Sequence, residues 1–255
     1  MKCKLCQEEK KLIKAHIIPK FIYKRLGLYS PDEKGQGRVH KAIYNKTSIK
    51  YNPKGYPDGL YDKNILCEDC DNYINEQFET YGKKILFPET PIPISEISFH
   101  TEVDEQGTKI GIFSGIKYTE FKLFIISIFW RASISSLVHG IKLTDGEEEQ
   151  IRLMLVNKDG KEDDYFGTII FQLDVSDEYS QIMTGFKSDK NGDFISYSFI
   201  AGKFVFRFYL QKSGVPESLK PFIISSSNKL KIIVYPHKQS VDFFNAFLGR
   251  DFLKY

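Results

Sequence analysis

Four thiols, in two pairs with a two-residue gap, are the residues of this 255-residue chain best suited to chemistry: Cys3 and Cys6, then Cys67 and Cys70 after a 60-residue spacer. No other cysteine is present. Two C-x-x-C knuckles supply a complete tetrahedral sulfur set, the arrangement preferred by structural Zn²⁺. A two-residue gap lets both sulfurs of a knuckle face one ion while nearby backbone N–H groups offset the thiolate charge. Disulfides between the same cysteines are the alternative. Knuckle spacing and the lack of an apolar N-terminal export segment favour metal and a reducing, cytoplasmic compartment.

The elements that must position these thiols follow from local pattern. Ile13–Ile18 reads as a short strand ended by Pro19, and 22–26 as the start of a helix stopped by Gly27. Residues 30–60 read as a long loop with a strand or two, such as 42–51. From Asp71 to Leu86, Tyr73, Ile74, Phe78, Tyr81 and Ile85 share a helical face. Pro88, Pro91 and Pro93 make a stiff linker and place a boundary between a module of residues 1–87 and a body of residues 88–255.

The body reads as α+β. Strands are expected at 110–116, 168–173, 181–185 and 232–235, with a hairpin of 194–200 and 203–210 around Ala201-Gly202. Helices are expected at 119–139, 147–156 and 241–248. The 119–139 segment is apolar on nearly all faces, so it belongs inside, and Arg131 within it should salt-bridge or cap internally. Alternate aromatics in the hairpin could stack bases, but a hydrophobic core is the better reading. The most apolar run, Leu123–Trp130, is too short to span a bilayer.

Net charge is +3, unevenly spread. Residues 1–67 hold 15 Lys/Arg against 6 Asp/Glu, a net of +9; the rest hold 21 against 27, a net of −6. A basic module on an acidic body points to a polyanion partner, with a solvated lysine surface as the plainer reading.

Cys3-x-x-Cys6, His16-Ile17-Ile18-Pro19 and Asn64-Ile65-Leu66-Cys67-x-x-Cys70 together resemble the HNH (ββα-metal) nuclease module built on a zinc treble clef, over roughly the first third of the chain. The resemblance implies metal-dependent hydrolysis of DNA. His16 would be the general base, Asn64 would orient it, and a divalent ion would stabilise charge on phosphate. Typical members carry a metal ligand where Ala15 stands and a histidine where Asp71 stands. Asp71 still suits Mg²⁺ or Mn²⁺, and Asn75 and Glu79 follow it at helical spacing, so a rebuilt site of these three is expected. Asp71 could instead cap its helix, and Glu79 could be a solvated charge. Lys14, Lys20, Lys24, Arg25, Arg38, His40 and Lys41 are the expected nucleic-acid contacts. The chain also looks like bacterial HNH-related proteins, some associated with anti-phage defence. The alternatives are a non-catalytic nucleic-acid-binding zinc protein and an interaction subunit working with a partner protein or a homo-oligomer. His100, His139 and His237 show no pattern of partners and are assigned no role.

Overall fold

The computed structural model describes residues 1–31, 37–44, 49–57, 59–93, 95–176 and 182–248, with the backbone alone over 29–57 and at Leu248. The architecture is mixed α+β, with the four cysteines gathered near the N-terminus.

In the N-terminal part, β1 (Ala15–His16) pairs antiparallel with β5 (Tyr61–Asp62), Ala15 opposite Asp62 and His16 opposite Tyr61. Pro19 sets the backbone for α1 (Lys20–Arg25), since its fixed φ suits the step into a helix. Between α1 and β5 stand β2 (Tyr29–Pro31), β3 (Gly37–Tyr44) and β4 (Ile49–Pro57), a three-stranded antiparallel sheet. Of the strand or two expected within 30–60, the segment over 42–51 is divided between β3 and β4, which pair antiparallel. After the second knuckle come α2 (Glu68–Ile74), a π-helical turn over Asn75–Glu79, and α3 (Thr80–Leu86).

The C-terminal part is built on a seven-stranded sheet of order β6-β7-β12-β8-β11-β10-β9. Its strands are β6 (Ser98–Val103), β7 (Lys109–Ser114), β8 (Thr168–Leu173), β9 (Lys187–Asn191), β10 (Phe194–Ala201), β11 (Phe204–Tyr209) and β12 (Lys229–Tyr235). Only the β12–β8 pairing is parallel. The expected strand over 181–185 is replaced by β9; within it Met183 makes only an isolated bridge to Ala201, and Gln181 lies outside the described residues.

Apolar residues of β8 alternate between two cores because both faces of the sheet are covered. Ile170 joins Phe199, Phe206 and Phe208 on one face. Ile169, Phe171 and Leu173 join Ile200, Val205 and Phe244 of α6 (His237–Leu248) on the other. The hairpin aromatics are therefore core, not a base-stacking platform: Phe199, Phe206 and Phe208 are fully buried.

α4 (Tyr118–Ile134) lies on the first face, buried from Phe121 to Ser133 as its all-round apolar sequence requires. It ends at Ile134, short of the expected His139. α5 (Asp145–Asn157) opens with a capping box in which the Thr144 hydroxyl accepts from the Glu147 N–H and the Glu147 carboxylate accepts from the Thr144 N–H. The first-face core is continuous across residue 87: Cys3, Leu5, Ile74 and Phe78 pack in one cluster with Phe121, Trp130 and Leu155.

Candidate metal centre and adjoining ion-pair cluster

The first knuckle is a tight turn. The Cys3 N–H donates to Glu8 O at 2.9 Å, the Gln7 N–H donates to Cys3 O at 3.0 Å, and Gln7 adopts φ 65°. The second knuckle starts a helix: Cys67 is the N-cap of α2 and Cys70 lies in its first turn. Backbone bonds hold the knuckles together, Lys4 N–H to Ile65 O at 2.8 Å and Ile13 N–H to Leu66 O at 3.0 Å. The result is that the four sulfurs lie within 4.8 Å of one another.

Four thiols this close cannot all ionise without a cation. Burial pushes the Cys3 thiol up, but N–H groups of Cys67, Cys6 and Leu5 outweigh it and bring it down to about 7. The Cys67 N–H, 3.4 Å from the Cys3 sulfur, is one of them. Burial pushes Cys67 up, and burial with the neighbouring Cys67 and Cys3 pushes Cys70 up further. A dication at the centre would relieve that repulsion, and a soft sulfur set fits a metal ion such as zinc.

Beside this centre sits a second cluster, built across the chain. Arg131 of α4 is buried, with 2% of its side chain exposed. Its Nη1 donates to the His16 carbonyl at 2.8 Å, and its Nε donates to Ser127 O at 3.2 Å. Its Nη2 lies 2.6 Å from Glu79 Oε1, yet that oxygen accepts no well-directed hydrogen bond. The short contact and the missing bond are compatible: the charges touch, but the N–H vectors do not aim at Oε1. The contact is an ion pair rather than a directed hydrogen bond. Asp71, half-buried, faces the same charges. Burial raises its carboxyl pKa, Glu79 adds to the rise, and Arg131 opposes it.

The π-turn has a part in this convergence. In a regular helix, Asp71 and Glu79 would be offset by about 80° around the axis; one residue absorbed by a π-turn cuts that to roughly 20°. Glu79 is thereby buried on the side of Arg131.

The other expected site residues are more dispersed. Asn75 is exposed, and its carbonyl accepts from Thr80 Oγ1 at 3.0 Å. Asn64 is exposed too, its backbone N–H donating to Asp62 Oδ1 at 2.8 Å. The His16 ring stands 6.4 Å from that of Tyr61, and the Lys14 ammonium lies 4.8 Å over the same Tyr61 ring. Lys14, Lys24 and Arg25 are exposed, Lys20 half-buried, and Arg25 reaches Glu89 at 3.3 Å. Arg38, His40 and Lys41 lie on β3, where their side chains are outside the described residues. Among the described residues, the four cysteines are the group of three or more His, Cys, Asp or Glu whose ligand atoms converge; His16, Asp71 and Glu79 form no such group.

Pattern reading of the first 87 residues could not find the body's contribution. Arg152 of α5 donates to Leu5 O at 2.9 Å behind the first knuckle, while Glu149 holds its guanidinium with two bonds of 2.7 Å. Asp62, 1% exposed, accepts from Ser135 Oγ at 2.7 Å at the end of α4. The signal was faint: charged residues within or next to apolar helical runs. No family model matches the chain, and no curated protein or solved structure is significantly similar to it.

Proposed function

We propose that residues 1–87 form a zinc treble clef of HNH type that hydrolyses phosphodiester bonds in DNA. The observation that carries this reading is the order strand, strand, helix: β1 bearing His16, β5, then α2 starting at the second knuckle, with Asp71 one turn into the helix. That order brings the His16 backbone and Asp71 into the neighbourhood of one guanidinium. In this reading His16 takes the proton of the attacking water, and Asn64, two residues beyond β5, would orient it. Asp71, with the exposed Asn75, would hold Mg²⁺ or Mn²⁺, which accept few protein oxygens and keep several waters. Such an ion would supply charge stabilisation at the phosphate. Glu79 leaves the ligand set, because Arg131 neutralises it; its part is to hold Arg131 on the strand that carries His16. Lys14, Lys20, Lys24 and Arg25 would meet the DNA backbone.

The Glu79–Arg131 pair favours a second reading, a zinc-stapled nucleic-acid-binding module without cleavage, since it uses up a carboxylate that a metal would need. Incubation of the purified protein with plasmid and Mn²⁺ or Mg²⁺ separates the two. Cleavage by the native chain, lost in His16→Ala and Asp71→Ala with one zinc per chain retained, is the expected outcome. Salt-sensitive DNA binding with no cleavage by the native chain would establish the second reading instead.

A further inference from the structure

The seven-stranded sheet ends on two edges of opposite character. β9 is a run of charged and polar side chains, Lys187-Ser-Asp-Lys-Asn191, a composition that discourages pairing with another strand. β6 is the other edge, and all six of its residues are exposed. Phe99 and Val103 are 59% and 67% exposed. Side chains alternate along the strand, so Phe99, Thr101 and Val103 share one face and His100 and Glu102 the other.

The backbone phase is set by the turn into β7. The Asp104 N–H donates to Thr108 O at 3.0 Å, toward β7. Alternation then turns the polar backbone groups of His100 and Glu102 to β7 and those of Phe99, Thr101 and Val103 outward. Three residues in phase thus present donors and acceptors along an edge that carries two apolar side chains.

We propose that β6 pairs antiparallel with β6 of a second copy of this chain, about a two-fold axis at Thr101, joining the two sheets. In that register Thr101 faces Thr101, Phe99 faces Val103, and His100 faces Glu102. The three outward-pointing residues then form three pairs that each exchange two hydrogen bonds. Apolar meets apolar on one face, and on the other a base meets an acid on both sides of the axis. Within one chain His100 Nε2 already lies 3.1 Å from Glu102 Oε1, so pairing would close a ring of four such groups. Symmetric registers shifted either way do worse: one sets His100 against His100, the other Glu102 against Glu102. Self-complementarity of this kind is what a two-fold interface demands. A strand this short buries less area than stable dimers need, so association should be reversible and concentration-dependent.

Sedimentation equilibrium of the full chain as purified tests this. The mass should rise from that of the 29.6 kDa monomer to twice that value with concentration. Thr101→Pro should give a monomer with unchanged melting temperature, because the lost N–H points away from β7. Glu102→Lys should weaken self-association by about tenfold. Combining His100→Glu with Glu102→His should restore it, since the swap pairs opposite groups again. A native chain that stays monomeric at its highest soluble concentration overturns the proposal and leaves this edge to a different strand donor. So does a dimer that both Thr101→Pro and Glu102→Lys leave intact.

Discussion

Removing the Arg131 guanidinium would leave Glu79, 8% exposed, with a buried charge and no cation beside it. Breaking one side of a buried pair costs about 3–5 kcal/mol, whereas replacing both partners by apolar groups is often neutral. Arg131→Met is therefore expected to destabilise the protein by that amount in urea titrations. Adding Glu79→Leu should recover most of the loss, and a fully additive pair of effects would show that the two charges do not interact. Asp71 makes a second residue-scale prediction. Its folded pKa is raised, so the folded protein holds the proton more tightly than the unfolded chain, and the ionised form is a cost of folding. That cost is fully present above the raised value and vanishes as pH falls below the ordinary carboxylate value of about 3.9. Without divalent ions, Asp71→Asn should melt higher than the native protein at neutral pH. The difference should disappear in acid. If Asp71 holds a metal, added Mn²⁺ should raise the melting temperature of the native protein and not that of Asp71→Asn.

At the scale of elements, the π-turn and one glycine fix how the helix after the second knuckle meets the body. Gly82 of α3 is buried against α4, and a Cβ built there would lie 2.4 Å from ring atoms of Phe124. Phe124 is itself fully buried, so the ring has little room to give way. Gly82→Ala trades better helix propensity for overpacking, and overpacking should win by about 1–3 kcal/mol. Denaturant midpoints would register it, and Phe124→Leu in the same chain should return part of the stability. A stabilised Gly82→Ala would mean that α3 shifts freely on α4. The salt bridge expected for Arg131 from its apolar setting is present, with its partner supplied by the segment just before Gly82.

The whole molecule is held together by interactions that cross residue 87. Two arginines of the body, Arg131 and Arg152, donate to carbonyls of His16 and Leu5 in the cysteine-bearing part. The Tyr73 hydroxyl donates to Leu155 O at 2.8 Å in the opposite sense. Cys3, Cys67 and Cys70 belong to the same hydrophobic cluster as Trp130 and Phe206. Because the cysteine-bearing part and the body share the first-face core, metal binding and folding of the two should be coupled. Calorimetry is expected to show one cooperative transition that a strong chelator moves down as a unit. A chelator that melts one part early while a second transition stays in place would show that the shared core does not bind the two parts cooperatively. Among the described residues no helix is long and apolar enough to cross a membrane.

The sequence by itself determined the four-cysteine set, the helix after the second knuckle, the buried character of α4, strand β8 and the β10–β11 hairpin. Each is written in local terms: a spacing, a period, or an apolar run bounded by a turn residue. What it could not determine depended on partners distant in the chain. β9, Lys187–Asn191, carries no strand-forming residue, and its pairing with β10 rather than its own sequence makes it a strand. The three-stranded sheet over 29–57 is set by pairing that a Gly- and Lys-rich stretch does not announce. The π-turn changed the helical register by about one residue and placed Glu79 on the Arg131 side. That placement decided the chemistry of the candidate site. Three polar residues at helical spacing look like a ligand set until a guanidinium from a helix some 50 residues further on takes one of them. The tertiary structure alone brings Arg131 there, because the burial of α4 leaves its charge no route to water and Glu79 lies within reach.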